Sequence, residues 1–488
     1  MEGLEIGVRT IPLIIVGAYL VLMLVFGFIV NKFFIKTSAD YMLAGRRLGL
    51  IMVATTLSAN NIGGGSTMGV ATRAFGAWGM SAAWWVLAAC VAMIPLAYFA
   101  PKVRKTMAYT IPEVINRRFG PTAGTITSVL NIASLFALTS SQILASGTVI
   151  HALVGIPLNV AILIGGIVVL IYTVVGGLKM DAWSDMFQYV IILFGLAIAT
   201  PIIIRNVGGW QAISAALPPA QFSMTKIGWF TIISLIINYF CTFLSGPEMI
   251  SRFAAAEDEK AAQKSSILSA VLMASMAFLP TLIGLAALSV NPGLDGGAGT
   301  SALMWASANF APQIITGFVA AAMISATMSS ADSNLLCAST IFIKDIYQQF
   351  FNKNELSERK IIWLTRLCNI VIGAGAMGIA LFRVDIITMN LFAFALRSAG
   401  PFAAFGFGLA WKKSTKHAGL VAILAGSAGA FAWILLGEPL GILPVVFGAA
   451  CSAASFVAVT LIQSALGVPP APSPNRPEVD QLDAKTQA

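Results

Sequence analysis

The chain has 488 residues, 58% of them hydrophobic and only 10% charged, and its formal net charge is +9. About a quarter of the residues in an ordinary soluble domain are charged, so that class is excluded. The positive charge falls in short loops between apolar runs, which is a topology signal and argues against a nucleic-acid-binding surface. Two histidines and five cysteines, the latter all inside apolar stretches, leave little material for a histidine-based active site, a metal cluster or a disulfide framework.

In chain order, the first apolar run covers about residues 11–30. It lacks a basic n-region and a small-residue cleavage site, so it reads as a retained span and not a signal peptide. Twelve more follow, near 48–72, 77–100, 122–153, 156–177, 183–204, 227–250, 265–290, 312–340, 362–382, 385–411, 418–436 and 440–465, each of a length suited to the hydrocarbon core. The segment from Tyr109 to Arg118 reads as a short cytoplasmic helix, capped by Thr110 with Pro112 in its first turn. From Gly467 the chain turns proline-rich and polar, the composition of a disordered tail over 467–488, and no soluble domain is appended. Of the 29 lysines and arginines, only Arg9, Arg73, Arg205, Lys226 and Arg383 fall in loops on one face. Arg397 alone falls within a span, and the rest, Arg252 and Lys353 among them, lie on the other face. That asymmetry predicts an external N-terminus and a cytoplasmic C-terminus.

Two spans are interrupted, one at Asn60-Asn61-Ile62-Gly63-Gly64-Gly65 and one at Ser245-Gly246-Pro247. Backbone groups freed in lipid find no water, so such breaks persist only where they face protein or line a cavity. A matched pair of broken spans in corresponding halves of a bundle points to the binding site of a secondary transporter. Before the first break, Ala54 and Leu57 share a helix face, and their carbonyls are exposed by unwinding. In the ninth span Ala326, Ser329, Ser330 and Ser333 form one polar stripe. Together these groups offer the oxygens a hard cation needs. Small residues and hydroxyls also serve helix packing, and that reading stands beside the first.

Carboxylates inside a membrane are costly and mark pathways or ion partners. Asp332 lies within the ninth span. Asp185 opens the sixth, where it could equally cap its helix. Three roles are open to Arg397: facing an anionic solute, pairing with Glu248 beside the second break, or snorkelling to the interface. Trp84 and Trp85 suit either a pocket wall or packing.

These same stretches carry a resemblance. Gly155 and Leu158 through Tyr172-Thr173-Val174-Val175-Gly176-Gly177-Leu178 are similar to the first signature of the sodium:solute symporter family, departing at Met180. The later signature fits around GLAWKKSTKHAGL with Ala418-Gly419 transposed, and YMLAGRRLG, TIPEVINRRFG, WSDMFQ and MSSADSNLLCASTIFIKDIY look familial too. The resemblance implies an all-α membrane bundle of the leucine-transporter type, with about 13 helices and two inverted five-helix repeats, near 48–204 and 227–411, within a single domain over 1–466. It implies a sodium site at the carbonyls of Ala54, Leu57 and Ala326 and the hydroxyls of Ser329 and Ser330. It implies a possible second sodium at Asp185, Asp332 and Ser333 with Ser329, and solute contacts from Thr56, Ser58, Asn61 and Trp85. Asn60 at the first break and Arg397 join the solute set from the residue reading.

The expectation is therefore a sodium-coupled importer of a small polar organic solute in the cell membrane, with Na+ as its ion, the lipid bilayer and the solute as its partners, and no nucleic acid or obligate protein partner. A proton-coupled carrier using Asp185 or Asp332 is the alternative on the same scaffold. A transport-silent membrane sensor is a rival of another class, and an enzyme ranks last.

Overall fold

The computed structural model describes residues 10–34, 36–294, 301–351 and 356–475. Arg9, Lys353 and the last part of the tail, 476–488, lie outside the described residues. The helices that matter are α1 (Thr10–Phe34), α2 (Leu50–Asn61), α3 (Trp84–Thr106), α4 (Ile111–Phe119), α5 (Pro121–Val154), α6 (Leu158–Val175), α7 (Leu178–Asn206), α8 (Trp229–Leu244), α9 (Pro247–Ala255), α10 (Glu259–Ala274), α11 (Leu279–Val290), α12 (Gln313–Ile341), α13 (Glu358–Ala380), α14 (Ile386–Ser398), α15 (Pro401–Ala410), α16 (Lys416–Leu435) and α17 (Pro444–Ala465).

Nine helical runs among the described residues are long and apolar enough to cross a membrane, or up to eleven when each bent pair counts as one. The second half of the second expected span and the whole of the third join as one run, Gly65–Thr106, and the fifth, Leu158–Val174, is a shorter apolar helix.

Burial sorts the helices by position. Within their 18-residue apolar stretches, 83% of the residues of the run Gln313–Phe351 are buried, against 28% in α1 and in α13 and 33% in α16 and in α17. The polar stripe on α12 is thus central, and the peripheral helices carry the lipid face. α1 shows the division on one helix: Val16, Tyr19, Met23 and Val30 are buried, while Ile14, Val21, Leu22 and Phe28 are exposed. Large apolar side chains on the outer surface are what a hydrocarbon solvent allows.

Local rules fix the ends. Thr110 accepts the Glu113 N–H at 3.1 Å, with Pro112 in the first turn, so α4 starts as its sequence requires. Gly155, at φ +74°, ends α5 in the left-handed region. Two helix pairs bend sharply: α8 and α9 by 53° at Ser245-Gly246, and α14 and α15 by 52° at Ala399-Gly400. The second bend was not expected. Gly400 and Pro401 interrupt what reads in sequence as one span, since proline supplies no N–H to continue the ladder.

The tail contradicts its composition over its first residues. Ala471 N–H donates to the Ser414 carbonyl at 2.7 Å, and Arg118 and Arg117 reach the carbonyls of Pro472 and Pro474 at 2.9 and 3.3 Å. Proline-rich backbone keeps its carbonyls unpaired, and two arginines on α4 take them. Burial pulls the Arg118 guanidinium down to about 10.

Candidate functional site

The first break is built from complementary parts. α2 ends at Asn61, and Ile62 leaves helical geometry at φ −88°, ψ 60°. Three of the groups freed there meet side chains. Gly64 N–H donates to Gln142 Oε1 on α5 at 2.8 Å, the Asn60 carbonyl accepts from Ser330 Oγ on α12 at 2.8 Å, and the Asn61 carbonyl accepts from Ser66 Oγ at 2.6 Å. Glycine is required by proximity: a Cβ on Gly63 would lie 2.5 Å from Ser330 Oγ, and one on Gly64 would lie 2.6 Å from the Ala145 Cβ. The break is therefore tied to α5 and α12 and not merely loose.

A cavity of about 50 Å³ lies between the first and second breaks and the bend before Pro401. Its wall includes Asn60, Asn61, Trp85, Asn390, Glu248 and Arg397. Space of this size holds a few waters, so a solute enters only as the walls move. Trp85 is buried and meets Tyr239 edge-to-face at 5.5 Å. Of the three roles open to Arg397, pairing is the one observed: Nη1 donates to Glu248 Oε2 at 2.6 Å, with both side chains at most 5% exposed. The wall is polar, and its one cation among the described residues is neutralised by the chain itself.

A second polar centre lies beside α12. Arg252 is fully buried on α9, although its sequence position suggested a loop. Its Nη2 donates to Asp181 Oδ2 and Ser333 Oγ and lies 3.7 Å from Asp185 Oδ2; its Nε donates to Thr56 Oγ1 at 3.2 Å, and its Nη1 to the Glu248 carbonyl at 3.1 Å. Asp185 also accepts from Thr56 and from Ser329, the latter at 2.6 Å. Asp332 lies close by, with Oδ2 buried and without a partner. A buried charge needs an opposite charge and saturated hydrogen bonds, and Arg252 obtains both from four helices.

The residues expected at the site divide accordingly. Ser330 joins α12 to the break, and Ser329 and Thr56 share one carboxylate, so α2, α7 and α12 converge where the sodium ligands were expected. The carbonyls of Ala54, Leu57 and Ala326 accept from Ser58, Asn61 and Ser330 at 2.8, 2.8 and 3.2 Å. Asn60, Asn61, Trp85 and Arg397 line the cavity.

Thr56 and Ser58 do not. Both lie on the intact part of α2, where Thr56 turns to Asp185 and Arg252, and Ser58 to Ser269 on α10 at 2.9 Å. Asp185 and Ser333, expected at a second sodium, are engaged by Arg252. Sequence reading missed Asp181, Arg252, Gln142 and Asn390. Only the first had a signal, its i, i+4 spacing from Asp185 on one helix face.

The model of the sodium:solute symporter family matches residues 41–426. The chain is 28% identical over 469 residues to the high-affinity proline transporter PutP of Bacillus subtilis (strain 168), covering 91% of this chain and 96% of that protein. It is 27% identical over 475 residues to the sodium/glucose cotransporter of Vibrio parahaemolyticus, covering 87% and 85%. Among solved structures, the substrate-bound outward-open state of a Na+-coupled sialic acid symporter superposes with a TM-score of 0.82 at 20% identity, over 96% of this chain and 100% of that one. A nucleobase-cation-symport-1 family transporter in a closed conformation gives 0.56 at 13% identity, over 86% and 95%. The fold is that of the leucine-transporter-type symporters, and the chain belongs to the sodium:solute symporter family. It is a multi-pass membrane protein that couples sodium to symport of a small organic solute.

Proposed function

We propose that the solute occupies the cavity between the breaks, that one sodium binds Ala54, Leu57, Ala326, Ser329 and Ser330, and that the solute carries no net charge. The observation behind this reading is the buried Glu248–Arg397 pair in the cavity wall. A wall whose only cation among the described residues is already neutralised offers nothing to an uncompensated anion, whereas a polar or zwitterionic solute can use both charges and the amides of Asn60, Asn61 and Asn390. Relatives named for proline and for glucose fit that class.

Ser330 is the link between ion and solute: it lines the cavity and belongs to the sodium set. Sodium on that hydroxyl would hold α12 against the broken α2 and shape the cavity, and rocking of the bundle would then expose both sites to the other side. The protein would act as an importer in the cell membrane, crossing it thirteen times with its N-terminus outside, and it would change no covalent bond. One sodium with a neutral solute moves one charge. About 100 mV contributes about 2.3 kcal/mol and a tenfold sodium gradient about 1.4 kcal/mol, enough for roughly 500-fold accumulation.

The test needs no knowledge of the solute. Thermal unfolding of the purified protein is compared in sodium and potassium at equal ionic strength, for wild type and Ser330→Ala. A sodium-specific rise in wild type that disappears in the variant supports the site. Equal stability of wild type in the two salts refutes it.

A further inference from the structure

We propose that one face of α12 carries the solute between the transport cavity and the side of the membrane on which the C-terminal tail lies, and that Tyr109 is the barrier on this route. The proposal rests on the solute cavity proposed above, and on the importer reading it is the route of release. α12 continues as helix through Phe342–Phe351, and three cavities follow it. Ser330 and Asn334 line the first, of about 50 Å³, between the breaks. Cys337, Thr340 and Ile341 line a second of about 10 Å³, room for a single water, together with Ile250 and Ser251 of α9. Lys344, Asp345 and Gln348 line a third of about 370 Å³, with Glu113 and Asn116 of α4. Positions 330, 334, 337, 341, 345 and 348 recur at helical spacing, so a single face runs from the breaks to α4, the helix that holds the tail.

The chemistry along this face suits a polar solute. Thr340 Oγ1 in the second cavity and Asp345 Oδ2 in the third are buried with no hydrogen-bond partner, as are Asn60 Nδ2 and Arg397 Nε in the first. Buried polar groups are nearly always paired, and these four stand where a passing solute could use them. The third cavity, like the first, sets amides beside both signs of charge.

Tyr109 is the one described residue that lines both the second and the third cavity. Its ring centre lies 5.2 Å from the Arg46 guanidinium and 4.9 Å from the Lys344 ammonium, and its N–H donates to Glu113 Oε2 at 2.6 Å. Arg46 Nη2 donates to the Met107 and Ala108 carbonyls at 2.8 and 3.2 Å, while its Nη1 donates to the Ala254 carbonyl of α9 at 3.1 Å. This side chain therefore fastens the barrier to the helix that follows the second break. Arg46 and Met107 are both held in the left-handed region, at φ +58° and +55°, which non-glycine residues adopt at a cost. A swing of α9 that parts Ala254 from Arg46 would release Tyr109 and join the second cavity to the third.

The native Cys337 thiol, in the wall of the second cavity, reports the opening. Full-length wild type, Tyr109→Ala and Arg46→Gln are prepared in membrane vesicles of each orientation, sorted by protease access to the tail. Each is treated with a membrane-impermeant methanethiosulfonate, and labelling at each cysteine is read by peptide mass spectrometry. Cys241, buried on α8 and in none of the three walls, is the control for loss of fold. From the tail side, labelling of Cys337 should be slow in wild type. It should rise about tenfold in Tyr109→Ala, the effect on the open population of losing two cation–π contacts. No rise at Cys337, or a rise only from the opposite side, overturns the proposal. Should Cys241 be labelled as well in Tyr109→Ala, the fold has loosened and Arg46→Gln decides: a rise confined to Cys337 supports the barrier, and none overturns it. The sodium site proposed above fails separately, by equal stability in sodium and potassium, and that result leaves the labelling unchanged.

Discussion

Breaking the Glu248–Arg397 pair is expected to cost more than either residue contributes as part of a pair. Arg397 Nη1 lies 2.6 Å from Glu248 Oε2, both side chains are at most 5% exposed, and the arginine's Nε is buried with no partner. Removing one member of such a pair strands the other charge in a poorly solvated wall, at about 3–5 kcal/mol. Replacing both members by neutral residues of similar volume is often close to neutral, because the stranded charge goes with its partner. Glu248→Gln and Arg397→Met should therefore each lose about 3–5 kcal/mol, and the double variant only about 1 kcal/mol. The coupling energy in the cycle would then be about 5–9 kcal/mol. The assay is reversible unfolding of the four proteins in one detergent, read as a double-mutant cycle. A coupling below about 0.5 kcal/mol, the scatter of independent sites, would show that the pair does not form, and the inference of an uncharged solute would lose its basis.

Three further outcomes follow from contacts at the breaks and the tail. Gly63→Ala places a Cβ 2.5 Å from Ser330 Oγ and 2.9 Å from Gln142 Oε1, so stability falls by about 1–3 kcal/mol and sodium-driven uptake is lost. Gly378→Ala, with nothing within 4 Å, is the control that leaves uptake intact in the same vesicle assay. Trp85→Ala opens the cavity wall and removes the contact with Tyr239; uptake kinetics should show a larger rise in KM than fall in maximal rate, while sodium affinity in the thermal assay stays unchanged. Truncation after Gly467 frees the Arg118 and Arg117 donors from the Pro472 and Pro474 carbonyls. At about 1 kcal/mol for each lost hydrogen bond, the Tm falls by a few degrees with uptake retained; an unchanged Tm would mean the tail is not docked.

What could be read in advance depended on whether the signal was local. The breaks were legible because glycine and proline announce them within a few residues, and the α12 stripe because hydroxyls three and four apart share a face. Periodicity says which residues face together but not what they face. The resemblance placed Thr56 and Ser58 at the solute, although the neighbours of that stretch are Asp185, Arg252 and Ser269. Arg252 was illegible for a geometric reason. It follows a proline break and precedes the charged stretch Glu257-Asp258-Glu259-Lys260, the pattern of a chain leaving the membrane, but the 53° bend at Gly246 carries α9 inward against α2, α7 and α12. Arg397, on the helix that precedes the second bend, likewise faces Glu248 and not the interface.

The two buried arginines also explain how solute and ion could be felt by one element. Glu248 and Arg252 stand one turn apart on α9. The Glu248 side chain pairs with Arg397 in the cavity wall, while its carbonyl accepts from Arg252 Nη1 at 3.1 Å. A solute that drew on the Glu248–Arg397 pair would act on the residue whose backbone helps to fix Arg252, and Arg252 holds Asp181, Asp185 and Ser333 beside the polar stripe of α12. Ser330 makes the reciprocal link, from the stripe to the Asn60 carbonyl at the first break. At the proposed sites, ion and solute would bias the same two broken helices, and coupling between sites requires an element whose equilibrium both of them bias.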